Sequence, residues 1–264
     1  MQNKVYFRTT MAIVLLISWL FFATSCGFFH SSQKSTPPKT VPIATGAGKL
    51  AIIIDDCGYS AAVLDSLSKI NTPLTFSVLP YLLYSQTAID KANTSGKQIM
   101  LHLPLQSPNN ANAEKTTIRT TMSDAEIKQI TLNAINAVPG AIGINNHQGD
   151  LATTDVRVMR DVLGVVAEHK LFFVDSMTTP LSIGCKIALE CGVPTAENEI
   201  FIDNRNNVPY IESELRKAVK KAHNKTIICI GHARPNTARA ISNMLPEIRR
   251  SGIELVFASQ LVGS

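Results

Sequence analysis

Short apolar runs recur along most of the chain, and polar segments or helical patterns separate them. The runs are continuous rather than alternating, which is typical of strands in a parallel sheet that is covered on both faces. They predict strands near residues 50–54, 73–79, 98–103, 141–145, 171–175, 193–196, 226–231 and 253–257.

Helical patterns lie between most of these strands. Ser123–Glu126 reads as a capping box, and an apolar stripe at helical spacing follows it. Further helices are predicted over residues 209–222 and 236–250, and Pro246 is expected to kink or split the last one. Regular alternation of strands and helices predicts an α/β fold, a parallel barrel that is irregular and incompletely closed.

Residues 1–26 have the features of an export signal. Lys4 and Arg8 precede an apolar core from Met11 to Ala23, which at roughly 13 residues is short for a transmembrane helix and matches a signal peptide. Cys26 follows a run of small residues that resembles a bacterial lipobox, so lipid attachment at this cysteine is one expectation. An uncleaved N-terminal anchor is the alternative.

The rest of the chain divides into a tether and one domain. Residues 27–48 are rich in Ser, Thr, Pro and Lys and predict a flexible linker, whereas residues 49–264 are long enough for a single α/β domain. The formal net charge of +5 is weak evidence for anionic envelope polymers or membrane surfaces as partners. No strip of interleaved basic and aromatic residues marks a nucleic-acid site. We expect an exported protein of the periplasm or cell envelope, with membrane attachment through the N-terminal anchor or a lipidated Cys26.

Four cysteines lie beyond residue 49, and an even number in an oxidising compartment is compatible with disulfides. Cys185 and Cys191 are close enough in sequence to close a small loop. Cys57 and Cys229 lie near the ends of an early and a late strand, which a closing barrel would bring together.

Acidic or imidazole side chains follow five of the predicted strands. The carboxyl ends of parallel strands converge on one face of such a fold, and these groups are costly to bury there unless they are paired or bound to metal. The placement therefore predicts a metal-dependent active site. The positions are Asp55–Asp56, His102, His147, Asp175 and His232.

One carboxylate and two imidazoles, with a position left for water, are a common arrangement for a catalytic divalent metal. Either Asp55 or Asp56 would ligate the metal, and the other would take a proton from the water. His232 would protonate the leaving group, so the set suits hydrolysis of an amide or ester. The polar segment 104–122 follows His102 directly and predicts a lid or substrate-contact segment, with disorder as the alternative.

Several motifs then occur in a fixed order along residues 49–260. In this order the sequence resembles the divergent polysaccharide deacetylases, which are distant relatives of the chitin and peptidoglycan deacetylases. The motifs are Ile52-Ile53-Ile54-Asp55-Asp56-Cys57-Gly58-Tyr59, Leu101-His102-Leu103-Pro104-Leu105, Gly143-Ile144-Asn145-Asn146-His147, Phe173-Val174-Asp175-Ser176, Phe201-Ile202-Asp203-Asn204 and Ile230-Gly231-His232.

The resemblance implies a deformed (β/α)7–8 barrel with its metal site at the carboxyl end of the strands. It implies removal of N-acetyl or O-acetyl groups from an N-acetylated envelope polysaccharide, with a divalent transition metal, Zn²⁺ above all, as cofactor. The roles that it implies are the base for Asp55, metal ligands for Asp56, His102 and His147, and the acid for His232. Three further residues are expected to orient a histidine or contact substrate, namely Asp175, Asp203 and Asn146.

Two departures from the family pattern concern the site. Gln148-Gly149-Asp150 stands where Met-Gly-Ser is expected, and Met177 stands where an arginine is common. Loss of the guanidinium would remove a charge partner and change how Asp55 or Asp175 titrates.

Three other interpretations stay open. A glycan-binding protein that no longer catalyses would account for Met177 and Asp150. A glycosidase would pair Asp55–Asp56 with Asp175 or Asp203 as its two carboxylates. A structural partner in envelope assembly is the third.

Overall fold

The structure, a computed structural model, describes residues 48–108 and 114–263. The predicted export signal with Cys26, and residues 27–47 of the predicted linker, lie outside these ranges. Within them, no helix is both long and apolar enough to cross a membrane.

The described residues form nine strands and seven α-helices. The strands are β1 (Lys49–Cys57), β2 (Thr75–Val78), β3 (Gln98–Leu105), β4 (Gly143–Gln148), β5 (Phe172–Asp175), β6 (Thr195–Glu197), β7 (Ile200–Phe201), β8 (Ile227–His232) and β9 (Glu254–Val256). The helices are α1 (Ala61–Ser68), α2 (Ser85–Thr94), α3 (Asp124–Ala137), α4 (Val156–Glu168), α5 (Gly184–Glu190), α6 (Val208–Ala222) and α7 (Pro235–Arg250).

The strands form one curled parallel sheet. Its order is β6-β5-β4-β3-β2-β1-β8-β7, and β9 pairs with the start of β1. Strands β6 and β7 are almost consecutive in sequence but occupy the two edges, so the barrel is open between them. The predicted deformed and incompletely closed (β/α) barrel is confirmed. Strand β7, which has only two residues, was too short to be predicted from an apolar run.

The two faces of each strand have different partners, because successive side chains point to opposite sides. In β1, Leu50, Ile52 and Ile54 belong to the large core that includes the helices. Ala51 and Ile53 belong to a second buried layer formed mainly by side chains of the strands, inside the barrel. The inward-facing residues of β1, here called its inner file, are Ala51, Ile53 and then Asp55. The apolar layer therefore lies beneath the polar groups at the strand ends.

The helices begin and end close to the predicted positions. The capping box of α3 is present, since Ser123 N–H donates to Glu126 Oε2 at 2.8 Å and Glu126 N–H donates to Ser123 Oγ at 3.4 Å. Helix α7 runs through Pro246 without the predicted split. Proline removes one intrahelical hydrogen bond, but Met244 and Ile248 on either side are buried, and this packing holds the helix together.

All four cysteines of the described residues are free, so neither disulfide that the sequence left open is present. Cys185 lies in the first turn of α5 and Cys191 directly follows the helix. The helical rise between them is about 9 Å, longer than the Cα separation that a disulfide spans. Cys229 pairs with Ile52 rather than with Cys57, which leaves about 16 Å of strand between the two thiols.

The inner layer generates a stability prediction. Ile230 is fully buried within it, whereas Leu189 is 56% exposed. We expect Ile230→Ala to lower the free energy of unfolding by about 2–5 kcal/mol, because the rigid barrel cannot close around the cavity. Leu189→Ala, the control, should change it by less than about 0.5 kcal/mol. Urea unfolding of both variants measures the difference, and equal effects would contradict the packed inner layer.

Candidate active site

Three side chains predicted to ligate a metal meet at the carboxyl end of the barrel. Asp56 Oδ1 lies 3.2 Å from His147 Nδ1 and 3.5 Å from His102 Nε2. The two imidazole nitrogens lie 3.2 Å apart. All three potential ligand atoms are within 4.8 Å of one another, so one carboxylate and two imidazoles surround a single point.

A bulge at the end of β1 explains how two consecutive aspartates both reach the site. The register between β1 and β2 shifts between Ile54 and Cys57, and Asp56 has a φ of 62° in the left-handed region. Aspartate tolerates this conformation better than most residues, and such bulges re-aim side chains. Asp55 therefore continues the inner file, while Asp56 turns toward the histidines.

The electrostatics of Asp56 call for a positive charge beside it. Its Oδ1 is buried and makes no hydrogen bond within the part of the chain that the structure describes. Burial opposes its ionisation, but His102 and His147 outweigh burial and hold its pKa far below the ordinary value. Burial likewise opposes protonation of His147, but Asp56 and Glu114 raise the pKa of this imidazole to about 9. Imidazolium or a bound metal ion would neutralise the carboxylate.

Asn145 joins the proposed base to a proposed metal ligand. Its Nδ2 donates to Asp55 Oδ1 at 2.8 Å and to Ser176 Oγ at 3.1 Å. Its Oδ1 lies 2.9 Å from His102 Nδ1 and also accepts from the Ser77 hydroxyl. Because this oxygen is an acceptor, a neutral His102 carries its proton on Nδ1, and its Nε2 lone pair then faces Asp56.

Sequence reasoning chose Asn146 and missed Asn145. The amide of Asn146 bonds to backbone, since its Oδ1 accepts from Ser176 N–H at 2.8 Å and its Nδ2 donates to Gln148 O at 2.6 Å. The alternation of side chains along a strand could have identified Asn145. It is two residues before His147 and therefore shares its face of β4.

Asp55 is buried at the end of the inner file of β1. It pairs in register with His232 of β8, and its Oδ2 lies 3.5 Å from His102 Nε2. Burial raises the pKa of this carboxyl, and the nearby imidazoles and the Asn145 amide only partly offset the effect.

Asp203 holds His232, in agreement with its expected orienting role. Its Oδ1 lies 2.8 Å from His232 Nδ1, and its Oδ2 accepts from His232 N–H at 2.8 Å and from Thr237 Oγ1 at 2.7 Å. Burial opposes protonation of His232, but Asp203 outweighs it and raises the imidazole pKa. Since Nδ1 is engaged, Nε2 is the nitrogen left for the cavity that His232 lines.

Asp175 does not orient a site histidine. Its carboxylate accepts from Ser182 Oγ at 2.5 Å and from Met177 N–H at 2.9 Å. The reason is strand alternation: Val174 lies in the inner layer, so the next side chain lies on the outer face.

A cavity of about 520 Å³ opens beside these groups. Its wall includes Gln148 and Met177, the residues at the two departures from the family pattern. Their φ values are 56° and 53°. Left-handed backbone of this kind is concentrated at functional sites. Among the described residues, no lysine or arginine lines the cavity. Its walls comprise Asp55, His102, Ser107, Asn146, His147, Gln148, Asp150, Ser176, Met177, Thr178, Phe201, Asn204 and His232.

Glu114 is a further site residue that sequence reasoning missed. Its Oε2 lies 3.2 Å from His147 Nε2, and the Tyr59 hydroxyl donates to its Oε1. It belongs to the segment 104–122 that was predicted to lie over the site, and it follows residues 109–113, which are outside the described ranges. No strand precedes it, so the pattern that identified the other residues gave no signal here.

The sequence and the fold of this chain both have known relatives. The sequence matches the family of divergent polysaccharide deacetylases over residues 52–262. It is 34% identical over 217 residues to the uncharacterized protein YibQ of Escherichia coli (strain K12), a match that covers 82% of this chain and 68% of YibQ.

Two solved structures share the fold. An uncharacterized protein of Agrobacterium tumefaciens C58 superposes with a TM-score of 0.78 at 20% identity, over 83% of this chain and 91% of that one. The Bc1960 peptidoglycan N-acetylglucosamine deacetylase superposes with a TM-score of 0.50 at 13% identity, over 81% of this chain and 90% of that one. With the family match over residues 52–262, the chain belongs to the divergent polysaccharide deacetylase family.

Proposed function

We propose that this protein is a metal-dependent hydrolase that removes acetyl groups, N-acetyl above all, from an envelope polysaccharide. The observation that carries the proposal is the meeting of Asp56, His102 and His147 beside Asp55 and His232, which both line one cavity. The family match and the deacetylase fold of the Bc1960 enzyme support it.

The donor set fits a divalent transition metal, and zinc is the metal we expect. One carboxylate and two imidazoles are typical ligands of catalytic zinc, and the unbonded, buried Asp56 Oδ1 faces the position that a cation would take. When bound, such an ion lowers the pKa of water and polarises a carbonyl oxygen.

Asp55 is placed to act as the general base. Its raised pKa makes it a stronger proton acceptor than an ordinary aspartate at neutral pH, and the Asn145 amide fixes its orientation. His232, whose pKa Asp203 raises, would deliver a proton to the departing amine nitrogen. Asp55 and His232 are register partners on the neighbouring strands β1 and β8, which supports their roles as the proposed base and the proposed acid.

The cavity suits a neutral sugar. Its volume of about 520 Å³ lies within the usual range for ligand sites. About half of its polar groups are hydroxyl and amide side chains, and among the described residues its wall contains no lysine or arginine that would select an anionic substrate. An uncharged N-acetylated saccharide fits these walls.

A non-catalytic glycan-binding protein is the second candidate, favoured by Met177 in place of the family arginine. The glycosidase interpretation loses support, because Asp175 and Asp203 do not line the cavity. Export to the cell envelope, with attachment through residues 1–26 or Cys26, is part of the proposal and is motivated by the N-terminal sequence alone.

Metal binding and acetate release separate the proposed roles. We expect the full-length protein to bind one zinc ion and to release acetate from N-acetylglucosamine oligomers. His102→Ala should lose both, whereas Asp55→Asn should keep zinc and lose about 10²–10⁴-fold in rate. His169→Ala, the control, alters a histidine that bonds to Val165 O away from the site.

Two results would count against the proposal. Zinc affinity that is unchanged in His102→Ala would remove the metal site. Zinc binding without acetate release from N- or O-acetylated polymers would favour the glycan-binding candidate.

The state of His232 gives an independent prediction. Because Asp203 raises the pKa of His232, Asp203→Asn should lower the titration midpoint of this imidazole by about one to three pH units. NMR of its ring C–H signals in the metal-free protein measures the midpoint. Asp150→Asn removes another carboxylate of the same cavity and serves as the control. An unchanged midpoint in Asp203→Asn, or an equal fall in Asp150→Asn, would contradict the specific pairing.

A further inference from the structure

Glu114 is fixed next to the proposed metal site although it lies in a long connection between β3 and α3. The residues after it return to β3, where Ile118 N–H donates to Pro104 O at 3.0 Å and Gln106 N–H donates to Ile118 O at 2.9 Å. Thr117 N–H donates to Glu114 O at 3.0 Å. The backbone of Glu114 is therefore tied to the strand that contains His102.

The Glu114 side chain is only 11% exposed and has two polar neighbours from different elements. Tyr59, from the loop after β1, donates to its Oε1, and His147, at the end of β4, faces its Oε2. Glu114 Oε2 and His147 Nε2 are both buried, and neither has another hydrogen-bond partner among the described residues. The carboxylate thus presents one oxygen to the Tyr59 hydroxyl and the other to His147 Nε2.

The two nitrogens of His147 have different environments. Its Nδ1 faces Asp56 Oδ1 and His102 Nε2, each at 3.2 Å. Its Nε2 faces Glu114 Oε2, also at 3.2 Å. A neutral imidazole carries one proton, and an acceptor beside one nitrogen keeps the proton there and leaves the lone pair on the other.

Glu114 lies outside the set of potential ligands itself. Among the described residues, the group whose ligand atoms are all within 4.8 Å of one another is Asp56, His102 and His147. Glu114 is on the opposite edge of the His147 ring, where it can orient the imidazole but not share the ion.

We propose that Glu114 is a positioning residue that fixes the ring orientation and tautomer of His147, so that Nδ1 is presented to the metal. Tyr59 in turn holds Glu114 in place. The inference rests on the proposed function, because it concerns the same metal site. Partners of this kind typically contribute about 10- to 100-fold in metal affinity.

Zinc titration of the full-length, metal-free protein by calorimetry tests the proposal. We expect Glu114→Ala to bind zinc about 10- to 100-fold more weakly than the unmodified protein. Glu114→Gln should lose less, because its amide oxygen still accepts from Nε2–H. Lys115→Ala is the matched control: this side chain is exposed in the same segment, so it reports on any general loosening of the loop.

The NMR signal of His147 Nε2–H in the zinc-loaded protein gives a second readout that a merely structural role would not move. We expect this proton to be protected from exchange with water in the unmodified protein and in Lys115→Ala, and to exchange rapidly in Glu114→Ala. Tyr59→Phe, which keeps the ring but removes the donor to Glu114, should give intermediate protection.

The outcomes separate this inference from the proposed function. If Glu114→Ala binds zinc as tightly as the unmodified protein while His147→Ala does not, the role of Glu114 is refuted and the metal site stands. Equal weakening in Glu114→Ala and Lys115→Ala, or in the glutamine and alanine variants, would also refute it. If the unmodified protein binds no zinc, the proposed function and this inference both fail.

Discussion

This site is built around one constraint. A buried carboxylate oxygen that makes no hydrogen bond faces two imidazole nitrogens. Such an arrangement is costly unless a positive charge offsets it. At Asp56 the parallel register brings His102 and His147 to the carboxylate, and the β1 bulge turns the carboxylate toward them. The surrounding groups then determine which nitrogens keep a proton and which are left with a lone pair.

The barrel supplies this site through strand alternation. Inner files of apolar residues form a dry layer, and the next inward side chain at the end of β1 and of β8 is Asp55 or His232. The same layer desolvates Asp55 and raises its pKa, as the proposed role of general base requires. The neutral amide of Asn145 donates to Asp55 and fixes its orientation.

Much of the fold and of the candidate metal site could be predicted from the sequence. Continuous apolar runs predicted the parallel strands, and the polar residues that follow these runs include Asp56, His102 and His147. The roles of the other site residues depend on which face of a strand a side chain occupies, and a shift of one position reverses that face. Asp175 lies one residue beyond the inner file and faces outward, and Asn145 rather than Asn146 shares the face of His147. Glu114 could not be predicted, since its place depends on how a long connection returns to β3.

The most direct test of the shared metal site is the position of a bound ion. Crystals of the protein grown with zinc, measured at wavelengths on either side of the zinc absorption edge, locate the ion by anomalous scattering. We expect one peak about 2.0–2.2 Å from Asp56 Oδ1, His102 Nε2 and His147 Nδ1. A peak elsewhere, or no peak at zinc concentrations that saturate known catalytic sites, would contradict the metal centre on which the proposed chemistry depends.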